Sequence, residues 1–224
     1  MFELIKRENL IFDILQRFID ENLKFIVVGG YGISAYKHRF SIDADLIIIE
    51  DDRMKFEVML KKNKFFKTIV KDLDHVYAPQ FIRYEIKGEF SVSVDLLIGG
   101  IGSRTTNASY SFNEVEKYSK KMPIIGIEKE INVLVPEKEI LIVLKLHSGR
   151  LTDFRDVAAL CKDIDINLIR KFIWRGKSDT VKDNIKKLIS LTDKKEFIDS
   201  FKGVFMEKKY DIDVKEIKKL EELI

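Results

Sequence analysis

The sequence predicts a mixed α/β (α+β) fold: a mixed sheet flanked by helices, followed by an all-helical C-terminal part. Three observations carry this. Short apolar runs of strand length, "KFIVVGG", "ADLIIIE" and "FSVSVDLLIGG", recur before Pro136. Stretches with the i, i+3, i+4 spacing of an amphipathic helix lie between them. After Pro136 only the helical spacing continues.

Leu4, Ile5, Ile11, Ile14, Leu15, Phe18 and Ile19 predict a helix over residues 3–22. "KFIVVGG" is a short buried strand, and Gly29-Gly30 turns it into a helix starting near Tyr31. "ADLIIIE" (44–50) is a second strand and "RMKFEVMLKKN" (53–63) a helix. "HVYAPQFIRYEIKGE" (75–89) and "FSVSVDLLIGG" (90–100) read as two more strands, the second alternating through Val92, Val94 and Leu96. Residues 99–120 read as a loop followed by a short helix, and "EINVLV" (130–135) as a strand stopped by Pro136. Helices are predicted at 137–149, 153–162, 166–175, 179–191, 194–207 and 213–223. Pro136, with Glu137 and Glu139 in the following turn, is a good helix start. The expected organisation is a mixed α/β part over residues 1–135 and an all-helical part over 136–224.

A chain of 224 residues that is 46% hydrophobic can bury a real core. Its 40 basic and 37 acidic residues nearly cancel, to +3, so no global field demands a nucleic-acid partner. Lysine blocks at 61–67 and 171–195 offer basic faces, or simply solvated surface. One cysteine, Cys161, excludes a disulfide framework and reads as a buried inert thiol. No run reaches the about 18 apolar residues of a membrane span. The first residues are broken by charges and do not read as a signal peptide, so the expected location is cytoplasmic, with no membrane partner.

The chemistry centres on Asp43 and Asp45, at the start of a strand thirteen residues after Gly30. Residues i and i+2 of a strand point the same way, so both carboxylates project on one side. Like charges that close raise each other's pKa unless a cation sits between them. Hard oxygen ligands with open positions suit Mg²⁺, which completes its shell with phosphates and water. Asp95 ends the alternating strand "SVSVD" and is the candidate third carboxylate if the two strands are neighbours. The Gly-Gly turn into a helix offers backbone N–H groups to a phosphate, and a bulky side chain there would block its approach. Phosphates held by a turn and metals held by carboxylates point to phosphoryl or nucleotidyl transfer.

"GGYGISAYKHRFSIDADLII" resembles the signature of the DNA polymerase beta nucleotidyltransferase superfamily: Gly-Gly or Gly-Ser, about a dozen residues, then Asp-x-Asp on a strand. The resemblance is closer to small prokaryotic members with Arg-x-Thr/Ser-x-Asp-x-Asp, here Arg39, Ser41, Asp43 and Asp45. "VLVPEKEILIVLKLHSGRLTDFRDVAALCK" is similar to the downstream block of AbiEii/MenT-like nucleotidyltransferases: a helical lysine, then Arg-x-x-Asp-x-x-Asp. Those residues are Lys145, Arg150, Asp153 and Asp156.

The resemblance implies the nucleotidyltransferase fold and a Mg²⁺-dependent transfer of NMP from an NTP. Two Mg²⁺ ions are expected, with Mn²⁺ as a substitute. It implies that Asp43, Asp45 and Asp95 bind metal and that Gly29, Gly30 and Ser34 lie along the triphosphate. Arg39, Ser41, Lys145 and Arg150 would contact nucleotide, and Asp153 or Asp156 would activate the acceptor. AbiEii-like relatives act as toxins, some on tRNA 3′ ends, which implies an RNA acceptor and a cognate antitoxin. Gly30 departs from the members with Ser or Thr at that place and lacks their hydroxyl.

Read from the residues alone, alternatives stay open. Lys145 either reaches a phosphate or snorkels out of a core helix. Arg150 with Asp153 is also a local ion pair, and Asp153 an N-cap for the next helix. His38 and His75 show no metal-like pairing, and His147 reads as a surface residue. Phe172 and Trp174 read as core, and Arg104 as a candidate on the acceptor side. Three other functions compete: an aminoglycoside-type nucleotidyltransferase, a nucleotide-binding module without turnover, and a helical scaffold. A polycationic acceptor calls for clustered acids, and the lysine-rich helical half leans against it. A scaffold leaves the placement of Gly-Gly and Asp-x-Asp unexplained.

Overall fold

The computed structural model describes residues 1–73, 76–205 and 212–224. Helix α1 (Phe2–Asp20) buries Ile11, Phe12, Ile14, Leu15 and Phe18 along one stripe. Strand β1 (Phe25–Val28) is buried throughout and runs into a six-residue helix, α2 (Gly29–Ser34). β2 (Asp43–Ile48) and α3 (Arg53–Lys62) follow, then β3 (Phe66–Asp72), β4 (Gln80–Ile86) and β5 (Val92–Ile98). A small ribbon, β6 (Gly100–Gly102) with β7 (Ser109–Ser111), leads into α4 (Phe112–Lys117). β8 (Ser119–Ile125) and β9 (Glu130–Pro136) complete the strands among the described residues.

Every described α-helix after Pro136 lies in the predicted order: α5 (Lys138–Ser148), α6 (Leu151–Leu160), α7 (Ile166–Ile173), α8 (Ser178–Thr192), α9 (Lys195–Asp199) and α10 (Val214–Lys218). The predicted helix 194–207 reaches past the described residues, as does His75 at the start of the predicted strand 75–89.

The main sheet has seven strands in the order β3-β4-β5-β2-β1-β9-β8. It is mixed: β2 pairs parallel with β5 and β1 with β9, while the β1–β2, β3–β4, β4–β5 and β8–β9 pairs are antiparallel. The central strands β1, β2 and β5 are largely buried on both faces, as strands inside a covered sheet are. One buried cluster joins α1, these strands and helices α5 to α8. The predicted fold class is therefore observed.

Two strands differ from the expectation. β3 was absent from it because six of its seven residues are exposed, leaving no apolar period to read. β8 carries Lys120, Lys121 and Pro123, which argue against a strand. Both are the outer edges of the sheet, where charge and proline block further pairing. The expected loop at 99–110 contains the β6–β7 ribbon. Ser111 caps α4: its hydroxyl accepts from the Glu114 N–H, and the Glu114 carboxylate accepts from the Ser111 N–H. Trp174 is not core: it ends α7 at 37% exposure, whereas Phe172 is buried.

Candidate active site

Four strands bring the site together at one level of the sheet. Asp45 on β2 lies beside Val28 of β1 on one side and Asp95 of β5 on the other. Asp95 in turn faces Arg83 of β4. The three carboxylates that the sequence singled out thus lie on adjacent strands, as the expected β2–β5 neighbourhood requires. Asp43 is more open, and Ser41 donates to its Oδ1 at 2.8 Å. Burial first, then the charges of Asp43 and Asp95, push the Asp45 carboxyl up to about 7. A carboxylate under that pressure is short of positive charge, the physical mark of a cation site. Asp43 and Asp45 therefore fit a divalent ion. Asp95 is differently placed: Arg83 grips it with a fork, Nε to Oδ1 at 2.7 Å and Nη2 to Oδ2 at 2.6 Å.

The two glycines press against the aspartate strand. Gly29 has φ +60°, and a Cβ there would run into the Asp45 carboxylate. A Cβ on Gly30 would meet the Ser41 side chain, the partner of Asp43. Close approach is needed here to seat the carboxylates, a reason additional to room for phosphate. Gly29→Ala is expected to cost about 1–3 kcal/mol from strain at positive φ. It should also lower transfer by displacing Asp45; urea unfolding and a nucleotide-transfer assay check both. Ser34 stands behind the turn, its hydroxyl within hydrogen-bond distance of Gly30 O and Arg39 O.

The residues of the second motif form a buried ion cluster. Lys145 on α5 lies 3.1 Å from Asp153 and 2.7 Å from Asp156, both on α6 and fully buried. Arg39 reaches Asp156 at 2.5 Å, and Arg150 binds Asp153 at 2.7 Å through Nε. The Asp153 carboxylate also accepts the Arg150 backbone N–H, so it caps α6 from inside the first turn. Burial pushes Asp153 up, but Arg150 and Lys145 outweigh it and hold it below the usual range. A carboxylate clamped by two cations is a weak proton acceptor. Three cations face two acids, and Arg150, 70% exposed, presents the surplus charge to solvent.

Between the glycine turn, α5 and the β6–β7 ribbon lies a cleft of about 390 Å³. Gly29, Asp45, Lys145, Arg150 and Arg104 line it, with Phe81, Leu97 and Ile101 as apolar wall. That volume is in the range of small-ligand sites.

His147 is buried, contrary to the surface position expected from the sequence. Its Nδ1 is 2.8 Å from Thr106 Oγ1, and its Nε2 is 2.8 Å from the Tyr110 hydroxyl, which also donates to Phe172 O. The histidine thus ties the 99–110 ribbon to α5 and α7. Burial, then the charge of Arg175, push its pKa down to about 4 from an ordinary 6.5. The unfolded chain takes the proton first, so this contribution to stability is complete above about pH 6.5. It is lost as pH falls toward 4, by about 3 kcal/mol. His147→Gln should flatten that part of the stability–pH curve relative to the wild type, read by denaturant unfolding at stepped pH. A parallel curve would mean that His147 is not the titrating group.

Arg83, Thr106 and Tyr110 were not anticipated. An arginine inside the apolar strand "QFIRYEI" was the available signal, since a charge there needs a partner. Thr106 and Tyr110 carried none. His38 pairs with Glu8 at 2.9 Å, away from the cleft. Cys161 is buried and its thiol is pushed up by burial. No helix among the described residues is long and apolar enough to cross a membrane.

The fold and the family together define a nucleotidyltransferase. Residues 8–202 match the family described as a nucleotidyltransferase of unknown function, DUF6036, and the chain belongs to that family. No curated protein matches the sequence. Solved structures share the fold at low identity. The solution structure of the antibiotic-resistance factor ANT(2″)-Ia has TM-score 0.52 at 14% identity, covering 83% of this chain and 96% of that one. An inferred nucleotidyltransferase from H. pylori has TM-score 0.51 at 17% identity, covering 100% and 99%. ANT(2″)-Ia in complex with adenylyl-2″-tobramycin gives 0.50 at 12% identity, covering 80% and 97%.

Proposed function

We propose that this nucleotidyltransferase moves a nucleoside monophosphate from an NTP to an acceptor hydroxyl or phosphate, using Asp43 and Asp45. The observation that carries the reading is Asp45, packed on Gly29 at a cleft that also holds Lys145 and Arg150, with Asp43 two residues before it on the same strand. In the step, an acceptor oxygen attacks the α-phosphorus and a new P–O bond forms. The bond to the bridging oxygen breaks, pyrophosphate leaves with that electron pair, and the acceptor proton passes to water. Asp43 and Asp45 would hold Mg²⁺ or Mn²⁺, which supplies positive charge to the triphosphate when bound. Ser41 orients Asp43, and the exposed Arg150 guanidinium offsets phosphate charge. Asp153 and Asp156 hold Lys145, Arg39 and Arg150 in place. In this reading residues 1–135 carry the aspartates, and residues 136–224 are a helical domain whose α5 brings Lys145 to the cleft.

The acceptor favoured by the cleft is anionic or neutral, and we infer an RNA 3′ end. Arg104, Lys145 and Arg150 line the cleft, and of its two acids Asp153 is paired and Asp45 is assigned to metal. A polycationic antibiotic finds little there to hold it. This agrees with the AbiEii/MenT-like resemblance, from which a toxin role and an antitoxin partner would follow. The test incubates purified protein, Mg²⁺ and each α-³²P-NTP with total tRNA, an aminoglycoside panel or no acceptor. Asp43→Ala/Asp45→Ala is the control. Label on tRNA from the wild type only supports the reading. Label on an antibiotic or on the protein itself replaces the acceptor. No transfer with NTP still bound points to a binding module.

A further inference from the structure

Arg83 lies on β4, one strand beyond Asp95 and two beyond the Asp43–Asp45 pair. Its fork closes on Asp95, and the same Nη2 stands 3.9 Å from Asp43 Oδ2. The Phe81 ring, 5.9 Å from the guanidinium carbon, flanks it on the same strand. Hydrogen bonding to Asp95 pushes the already high pKa of Arg83 further up, so the group is always charged. Both oxygens of Asp95 are engaged, and its side chain is 3% exposed. Among the described residues, no three His, Cys, Asp or Glu side chains are grouped to hold a metal ion.

We propose that Arg83 is a fixed counter-ion in place of a second metal, so that the site takes one divalent ion on Asp43 and Asp45 while Asp95 holds Arg83. This rests on the nucleotidyltransferase reading of the same site and departs from the two-ion expectation. The chemistry favours it: a third carboxylate serves a second ion only while its oxygens are open. A bidentate arginine on a buried carboxylate is a strong and geometrically specific pair. The positive charge that a second ion would bring is already built into the strand next door.

The test counts bound Mn²⁺ by electron paramagnetic resonance at saturating non-hydrolysable α,β-methylene NTP analogue. The proposal expects one Mn²⁺ per wild-type protein. Arg83→Met, which frees Asp95, should take two. Arg83→Met/Asp95→Asn removes both charges, guards against a folding defect in the single variant, and should return to one. Arg83→Lys should also stay at one. Two ions on the wild type, falling to one in Asp95→Asn, would overturn the proposal by showing that metal displaces Arg83. One ion on a folded Arg83→Met protein would overturn it as well. If neither analogue nor Mn²⁺ binds the wild type, the nucleotidyltransferase assignment of the site fails first and this proposal with it.

Discussion

Asp45→Asn is expected to abolish transfer while making the protein more stable in metal-free buffer. The loss of activity should be at least about 10³-fold, some 4 kcal/mol of transition-state stabilisation. The gain in stability follows from the sign of the shift. The folded-state pKa, about 7, lies above the ordinary 3.8. The unfolded chain therefore gives up the proton first, and the ionised carboxylate costs the fold stability increasingly as pH rises. That cost is complete above about pH 7, where asparagine should recover roughly 1–3 kcal/mol. Asp43→Asn should lose transfer in the same way, since both carboxylates serve one ion. Thermal unfolding with chelator present, over pH 4 to 8, reads the stability, and single-turnover transfer reads the activity. A variant that loses both stability and activity would show that Asp45 holds the fold together.

Lys145→Met is expected to be the most destabilising single change at the site. It leaves Asp153 and Asp156 buried with Arg39 and Arg150 alone to balance them. Removing one partner of a buried ion pair costs about 3–5 kcal/mol, and the remaining cations place this case near the lower end. The methionine stem keeps the packing of α5, so the loss reports charge. Lys145→Met/Asp156→Asn removes opposite charges together and should recover much of the stability. If Lys145 also meets the triphosphate, the double variant regains stability without regaining transfer, seen as a raised KM for NTP. Recovery of both would make Lys145 a structural residue. No change in the single variant would mean that the cluster contributes nothing to the fold.

Much of the site was legible because its chemistry is local in sequence. Asp43 and Asp45 share a face through the period of two in a strand, and β1 ends at the glycines that pack on Asp45 and Ser41. Lys145, Arg150, Asp153 and Asp156 lie within one helix–turn–helix; the resemblance singled them out, and spacing hinted only at the Arg150–Asp153 pair. His147 was misread because an apolar helix with a charged end gives no sign of what covers it. The cover is the 99–110 ribbon, whose Thr106 and Tyr110 supply the hydrogen bonds that let an imidazole stay buried. β3 and β8 escaped notice because edge strands carry the polar residues that protect an edge, which erases the pattern of a strand.

The sequence by itself determined the central strands, the helices after Pro136, and the paired aspartates beside a glycine turn. Each follows from periodicity or from the conformational freedom of glycine over a few residues. The tertiary structure alone decided which charges meet. Arg39 joins Asp156 across 117 positions, and Arg83 reaches Asp95 only because β4 and β5 pair in that register. A charge in a sequence has no partner until a sheet order or a helix crossing supplies one. The strength of the pairing then depends on burial, which only the folded chain defines.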